Sequence, residues 1–386
     1  MEESNQIETR PAGSLSITMG EWPLIASVIT TLLFLVFGGR WLADLSNPLW
    51  YTVVFIWLFA VMLASAFAIV RHAESLAVLL GEPYGTLVLT LSIIGVEVLV
   101  ISAVMLAGKD QPTIGRDTMF SVVMALLGGM TGISLLLGGL RHHEQDYNLQ
   151  GANAYLALTI PLAVIAMILP NFTVTTAGPT LSTFQSVFTS IMSIGIYAIF
   201  LAVQTRRYRD FFVAPDRSNP PDNLKEEPDL HGEHELRSTS FHSILLVAYI
   251  LPLVLLAKQF AIPLDRGTEM LNAPQVLSGF LVALLILAPE GLSAVRAALQ
   301  NQLQRSVNIL LGSVLATIGL TVPGILLIGL ITGKTVELGL SSANSIILVL
   351  LLGLSTITFS NVRTNALLGA VHLLLFLAFV MLMFQG

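Results

Sequence analysis

Two glutamates inside long apolar segments constrain this chain more than any other feature. Glu97 lies near the middle of the apolar run 84–106, and Glu290 near the middle of the run 276–298. An ionised carboxylate in hydrocarbon costs several kcal/mol, so such residues face a partner, a cavity or a transported ion. Two glutamates at matching depth therefore predict a cation transport site.

The composition places the chain in the membrane class. Of its 386 residues, 54% are hydrophobic and only 11% are charged, which excludes an ordinary soluble globule. Runs of about 20 apolar residues are long enough to cross a bilayer as helices. We therefore predict an all-α polytopic membrane protein with about eleven transmembrane helices. The predicted cores are 22–38, 50–70, 84–106, 119–140, 154–169, 184–203, 241–257, 276–298, 309–332, 345–360 and 366–384.

The positive charges predict an orientation. Lysine and arginine are retained on the cytoplasmic side of a membrane protein. A cytoplasmic N-terminus places twelve of the 18 lysines and arginines inside. We therefore expect the N-terminus and the loop 204–240 to be cytoplasmic and the C-terminus to lie outside.

The loop 204–240 is the one clear break in composition. It carries eight acidic residues and four prolines, the composition of a solvated linker, with a cation-sensing or regulatory role as the alternative. The predicted organisation is an acidic tail (1–21), an extra helix with its loop (22–49), a first five-helix repeat (50–203), the acidic loop (204–240) and a second five-helix repeat (241–386).

The two halves align with each other. Residues 121–136 can be laid on residues 313–328 at an offset of 192, and Glu97 and Glu290 are offset by 193. In the predicted topology the helix of Glu97 runs outward and the helix of Glu290 runs inward, so the repeats are inverted. Each glutamate lies about 20 Å from the start of its own helix. Both then reach the midplane, where inverted-repeat transporters place their substrate.

Glycine and proline residues close to the two glutamates predict that the helices carrying the glutamates are broken. Gly95 precedes Glu97, while Pro289 and Gly291 flank Glu290. Unwound backbone at membrane depth frees carbonyl oxygens, and carbonyls with carboxylates are ligands for calcium or sodium. The predicted metal ligands are thus Glu97 and Glu290.

Hydroxyl residues lie near both glutamates along the sequence. Thr90 shares a helical face with Glu97, and Ser293 with Glu290. Such residues either support the ion site or serve helix packing, and the sequence leaves both interpretations open. The further candidates on the following helices are Ser121, Ser313, Thr317 and Thr321.

Other ionisable residues have alternative interpretations. Glu82 either lines the cytoplasmic vestibule or stabilises a helix N-terminus. His372 either relays protons or is a packing residue. Arg71, His72 and Glu74 are predicted to form a cluster that faces a loop, with a gating role as the alternative.

Three stretches of the sequence resemble a known family. Residues Gly81–Ala103, Phe280–Pro323 and Phe359–Phe376 are similar to the bacterial ChaA-type calcium/proton antiporters of the calcium/cation antiporter superfamily. The resemblance implies ten core helices in two inverted repeats, an extra N-terminal helix and a place in the bacterial inner membrane. It also implies that Glu97 and Glu290 carry the cation and the protons.

The chain departs from the broader calcium/proton exchanger pattern at three places. Those exchangers carry Gly-Asn before the glutamate, in the pattern GNxxE, where this chain has Ile93-Ile94 and Ile286-Leu287. Their glutamine on the helix after the second glutamate is Ala316 here. Fewer side-chain oxygens make sodium or potassium a serious competitor of calcium.

The expected function is antiport by alternating access, with protons exchanged for Ca²⁺, Na⁺ or K⁺. The expected partners are these ions and the lipid bilayer, with no nucleic acid and no resident cofactor. No paired aspartates, HExxH or GxSxG motif lies in a span, so an enzyme is not expected. The alternatives are a Na⁺(K⁺)/H⁺ antiporter that does not carry Ca²⁺ and, from another class, a cation channel.

Overall fold

The protein is described here from a computed structural model that covers residues 20–81, 84–107, 112–215 and 237–385. Within these ranges ten helices are long and apolar enough to cross a membrane, and an eleventh, shorter apolar helix accompanies them. The helices are α1 (Trp22–Trp41), α2 (Pro48–Leu80), α3 (Tyr84–Ala107), α4 (Ile114–His142), α5 (Leu149–Met167), α6 (Thr183–Ala202), α7 (Thr239–Met270), α8 (Val276–Leu299), α9 (Leu303–Thr332), α10 (Ser342–Thr358) and α11 (Ala366–Gln385).

Helix α2 is longer than its apolar core predicts. It begins at Asn47, whose side chain accepts hydrogen bonds from the backbone N–H groups of Leu49 and Trp50. It ends only at Gly81, whose φ of 61° is strained for other residues. The prediction that Arg71, His72 and Glu74 face a loop is therefore wrong. No helix breaker separates these residues from the apolar core, so the helix continues through them.

The predicted break in the glutamate helices is also wrong. Helix α3 runs without interruption through Gly95, and α8 runs through Pro289. A proline within a helix removes only one backbone hydrogen bond, which the packing of α8 against α4 and α9 tolerates.

The irregular backbone lies in the next helix of each repeat. Helix α4 contains a π-helical stretch at Met124–Met130, and α9 contains one at Thr317–Thr321. The two stretches overlap when the halves are superposed at the offset of 192 residues. Single π-helical turns inside α-helices are frequent at functional sites.

The two five-helix repeats interlock. Helices α2–α6 form the first and α7–α11 the second, and each repeat has an odd number of crossings, so equivalent helices run in opposite directions. Helix α2 packs against α7, α4 against α8 and α11, and α9 against α5. The extra helix α1 covers α2 and α7. Two-residue strands, β1 (Gln145–Asp146) and β2 (Arg363–Thr364), pair antiparallel at one end of the bundle.

A polar cluster fastens α1 to this bundle. The carboxylate of Glu21, just before α1, lies 2.8 Å from Arg71 Nη2 and accepts a hydrogen bond from the Tyr249 hydroxyl at 2.7 Å. His72 Nε2 lies 3.3 Å from the same carboxylate, and His72 Nδ1 lies 3.0 Å from His242 Nδ1. The cluster joins α1, α2 and α7 at the end of the bundle where the loop 204–240 begins and ends.

Candidate functional site

Helix α9 brings the two glutamates together. The Thr317 hydroxyl donates to Glu97 Oε2 at 2.9 Å, and the Ser313 hydroxyl donates to Glu290 Oε2 at 2.6 Å. Residues four apart lie on one face of a helix, with Cβ atoms about 5–6 Å from each other. Glu97 of the first repeat and Glu290 of the second therefore meet at adjacent positions on one helix face.

Both carboxylates are withdrawn from solvent. Glu97 is 1% exposed and Glu290 is 7% exposed. Within the described ranges Glu97 Oε1 has no hydrogen-bond partner, and neither has the buried hydroxyl of Thr321, one turn beyond Thr317. Buried polar atoms are nearly always paired, so these two oxygens are candidates for contact with a cation or a proton.

A cavity of about 260 Å³ reaches one of the two glutamates. Its wall includes Glu290, the predicted Thr90, Ser293 and Ser313, and also Glu74. Gln204 and Asn308 line it as well, so it lies toward the end of the bundle that carries the loop 204–240. Glu97 is not part of its wall. The structure is thus open to Glu290 from one end and closed around Glu97.

Part of the cavity wall is apolar. Ile93, Ile94 and Ala316 all line the cavity. The side-chain oxygen atoms of the wall come from carboxylates, hydroxyls and the amides of Gln204 and Asn308.

Two predicted site residues lie apart from this arrangement. Ser121 is buried, but its hydroxyl bonds to neither glutamate. His372 is fully buried and has both ring nitrogens engaged, Nε2 with the Thr358 hydroxyl at 2.9 Å and Nδ1 with the Leu127 carbonyl at 2.6 Å. These contacts match the packing interpretation of His372. Glu82 lies outside the described residues.

Sequence reasoning missed several polar residues of the cavity. Glu74 is predicted to face a loop because the apolar core of α2 ends before it. The hydroxyl of Tyr155 accepts a hydrogen bond from the Gln204 side chain at 3.0 Å, and Tyr197 stands beside them in the wall. The only sequence signal for Tyr155 and Tyr197 is a polar atom on an otherwise apolar helix.

Two antiporters are similar in sequence to this chain over most of its length. It is 42% identical over 323 residues to the sodium-potassium/proton antiporter ChaA of Escherichia coli K12, covering 84% of this chain and 86% of that protein. It is 27% identical over 286 residues to a Ca²⁺/H⁺ antiporter of Synechocystis, covering 68% of this chain and 76% of that protein.

Solved structures share the fold. Native YfkE superposes with a TM-score of 0.70 at 18% identity, covering 94% of this chain and all of the other. The H⁺/Ca²⁺ exchanger CAX superposes with a TM-score of 0.64 at 14% identity, covering 94% and 89% of the two chains. The model of the sodium/calcium exchanger protein family matches residues 50–206 and 241–385. These matches, together with the two glutamates that meet on α9, place this multi-pass membrane protein in the sodium/calcium exchanger family.

Proposed function

We propose that this protein is a cation/proton antiporter in which Glu97 and Glu290 alternately hold the cation and the protons. The observation that supports this most directly is the meeting of both carboxylates on one face of α9, through Thr317 and Ser313. The antiporters among the relatives support the same class of reaction.

Charge balance couples the two fluxes. Two ionised carboxylates with one Ca²⁺, or with two monovalent cations, form a neutral site, and so do two protonated carboxyls. Either neutral state can change its access between the two sides without carrying an uncompensated charge through a low-dielectric interior. The empty, doubly ionised site cannot change its access without carrying two uncompensated charges through that interior. Cations therefore cross in one direction only when protons cross in the other.

The hydroxyls of Ser313 and Thr317 support both states of the site. Each hydroxyl donates a hydrogen bond to an ionised carboxylate, and each can rotate to accept a hydrogen bond from a protonated carboxyl group. They therefore keep the two glutamates in place while the charge of the site changes.

The sidedness follows from the cavity. The state described here opens to Glu290 from the end that carries the loop 204–240, and the positive charges of that end favour the cytoplasm. We assign this state as inward-facing, in the bacterial inner membrane, with the N-terminus cytoplasmic and the C-terminus outside. The outward-facing state forms when the two inverted repeats exchange their conformations.

The cation remains a choice between Ca²⁺ and the monovalent Na⁺ and K⁺. Ca²⁺ takes six to eight oxygen ligands. Ile93, Ile94 and Ala316 supply no side-chain oxygen to the cavity wall. The relatives include antiporters of both kinds, so exchange of Na⁺ or K⁺ alongside Ca²⁺ is the first candidate, and a Na⁺(K⁺)/H⁺ antiporter is the second.

The deciding experiment records lumenal pH in reconstituted vesicles while Ca²⁺, Na⁺ and K⁺ are added in turn. An antiporter moves protons against each cation it accepts. Glu97→Gln and Glu290→Gln should each abolish exchange in folded protein, because the amide keeps the volume and cannot cycle a proton. The matched control is Glu144→Gln, an exposed carboxylate at the bundle end paired with Arg363. Cation flux without proton movement would identify a channel instead, and normal exchange by either variant would remove that glutamate from the site.

A further inference from the structure

The cavity that reaches Glu290 adjoins a second cavity with an unusual charge. This second cavity has a volume of about 320 Å³, and both cavities have Val70, Glu74 and Ser293 in their walls. Three arginines, Arg71, Arg296 and Arg305, line the second cavity. We call the three arginines with Glu74 the arginine mouth. Glu74 stands where the two cavities meet.

The arginine mouth keeps a net positive charge within the described residues. Arg71 is neutralised by Glu21, at 2.8 Å. No ion pair within the described ranges engages Arg296 or Arg305. Arg305 lies in the first turn of α9 and Arg296 in the last turn of α8, so the two helix dipoles act on the mouth with opposite signs and the side-chain charges set its net charge. Glu74 carries the one negative charge that lines both cavities. A mouth of this sign is unexpected beside a carboxylate site for cations.

Such a field acts on cations according to their valence. The electrostatic energy of an ion in a given potential is proportional to its charge, so a divalent cation is repelled twice as strongly as a monovalent cation. Glu74 acts in the opposite sense, because it attracts a divalent cation twice as strongly.

We propose that the arginine mouth sets the preference of this exchanger between monovalent and divalent cations. Arg296 and Arg305 disfavour the entry of Ca²⁺ relative to Na⁺ and K⁺, and Glu74 partly offsets them. The selection takes place before the cation reaches Glu290. This inference rests on the proposed exchange and names residues that tune its substrate class.

The prediction is quantitative because one potential acts on both ions. If removing the two arginine charges lowers the apparent KM for K⁺ by some factor, the apparent KM for Ca²⁺ should fall by the square of that factor. For two charges roughly 10 Å from the ion path in a watery mouth, the expected changes are about fourfold for K⁺ and about sixteenfold for Ca²⁺. Glu74→Gln should shift both values in the opposite direction, again more for Ca²⁺.

The experiment uses vesicles with the 204–240 end facing outward. Their sidedness is checked by labelling a single cysteine at Ser360, an exposed position at that end, with a membrane-impermeant reagent. Proton movement is recorded at low ionic strength while KCl or CaCl₂ is titrated, for the wild type, the double variant Arg296→Gln/Arg305→Gln, and Glu74→Gln. The titrations are repeated with N-methyl-D-glucamine chloride at about 0.15 M, where a Debye length of about 8 Å should shrink every difference.

Arg363→Gln is the matched control. Arg363 lies at the same end but pairs with Glu144 and Asp146 and lines neither cavity. Its removal should leave both KM values unchanged. If the double variant does not fold, Arg305→Gln and Glu74→Gln carry the same test separately. Equal factors for K⁺ and Ca²⁺, or unchanged KM values in an active variant, would overturn the role of the mouth. A wild type in which no cation moves protons would instead overturn the proposed exchange.

Discussion

At the scale of single residues, two hydroxyls on α9 have different tasks. Ser313 holds the glutamate of its own repeat, whereas Thr317 reaches Glu97 of the other repeat, 220 positions away. Thr317 is therefore a side chain through which the two halves share one site. Within the described residues the Thr317 hydroxyl holds Glu97 Oε2, whereas Glu97 Oε1 meets no hydrogen-bond donor at bonding geometry.

Thr317→Val should impair exchange without unfolding the protein. Valine has nearly the same shape but removes the donor, and a hydrogen bond to a charged group contributes about 1.5–3 kcal/mol. The initial rate of exchange should therefore fall about 10- to 100-fold. Thr317→Ser keeps the hydroxyl and should retain most of the rate. Wild-type rates for Thr317→Val in a proton-flux assay would show that this bond does not position Glu97.

The carboxylate of Glu21 makes the attachment of α1 to α2 and α7 dependent on pH. Partial burial acts to raise the pKa of Glu21, but hydrogen bonds from His72 and Tyr249 and the charge of Arg71 together lower it from 4.5 to about 2. A lowered pKa means that the carboxylate stabilises the folded protein fully above about pH 4.5. The contribution is lost as the pH falls from there toward 2.

Glu21→Gln should accordingly lower the thermal stability of the detergent-solubilised protein at pH 7. The difference from the wild type should shrink as the pH is lowered below about 4.5, because the wild type then loses the same charge. Thermal unfolding, followed by tryptophan fluorescence, measures the stability difference at pH 7 and its decrease at lower pH. The exposed Glu144, changed to Gln, should have little effect at any pH. A stability difference that stays constant down to pH 3 would contradict the role of the Glu21 charge.

At the scale of elements, the helices that bear the glutamates are regular and their successors are not. The π-helical stretches in α4 and α9 occupy matching places in the two repeats. In α4 the carbonyl of Leu127 accepts a hydrogen bond from His372, and Met130 packs where Gly291 leaves room beside Glu290. The irregular turns are thus supported by neighbouring helices, which keep a buried backbone satisfied.

Two glycines on the glutamate helices should respond in opposite ways to alanine. Gly95 has no atom near the position of an added Cβ, so Gly95→Ala should be neutral or stabilise α3 by up to about 1 kcal/mol. Gly279 has the backbone of Asp117 only 2.6 Å from that position, so Gly279→Ala should push α8 from α4 and cost about 1–3 kcal/mol. The melting temperatures of the two variants test both expectations. A strongly destabilised Gly95→Ala variant would favour a broken α3 after all.

At the scale of the whole molecule, the inversion of the repeats lets two glutamates from distant parts of the chain share one depth. Helix α3 begins at the end of the bundle where α8 finishes, so Glu97 and Glu290 are approached from opposite directions. The same inversion allows one sequence pattern to build both an inward-open and an outward-open form.

Single cysteines should reveal this inversion. Cysteines at Tyr84, the exposed first residue of α3, and at Gln300, just after α8, should react with an impermeant reagent from the same side of the membrane. A cysteine at Ser342, the exposed start of α10, should react only from the other side. The native chain has no cysteine, so each signal is unambiguous. Labelling of Tyr84 and Gln300 positions from opposite sides would refute the antiparallel arrangement.

The sequence by itself determined the membrane class, the eleven helices and the pairing of Glu97 with Glu290. These features are local, because hydropathy and the position of a charge within an apolar run can be recognised without knowing the neighbours. The internal offset of about 192 residues added the repeat and its register. The bounds of α2 failed because polar residues such as Glu74 lower the hydropathy of a helix without ending it.

Only the tertiary structure decided how the site is assembled. The bond from Thr317 to Glu97, the contact of His372 with the Leu127 carbonyl and the meeting of Arg296, Arg305 and Glu74 at one mouth all join distant parts of the chain. The unbroken course of α8 through Pro289 likewise depends on the helices packed around it. Helix propensity favours a break at proline, and packing overrides that preference because a buried helix must keep its backbone hydrogen-bonded.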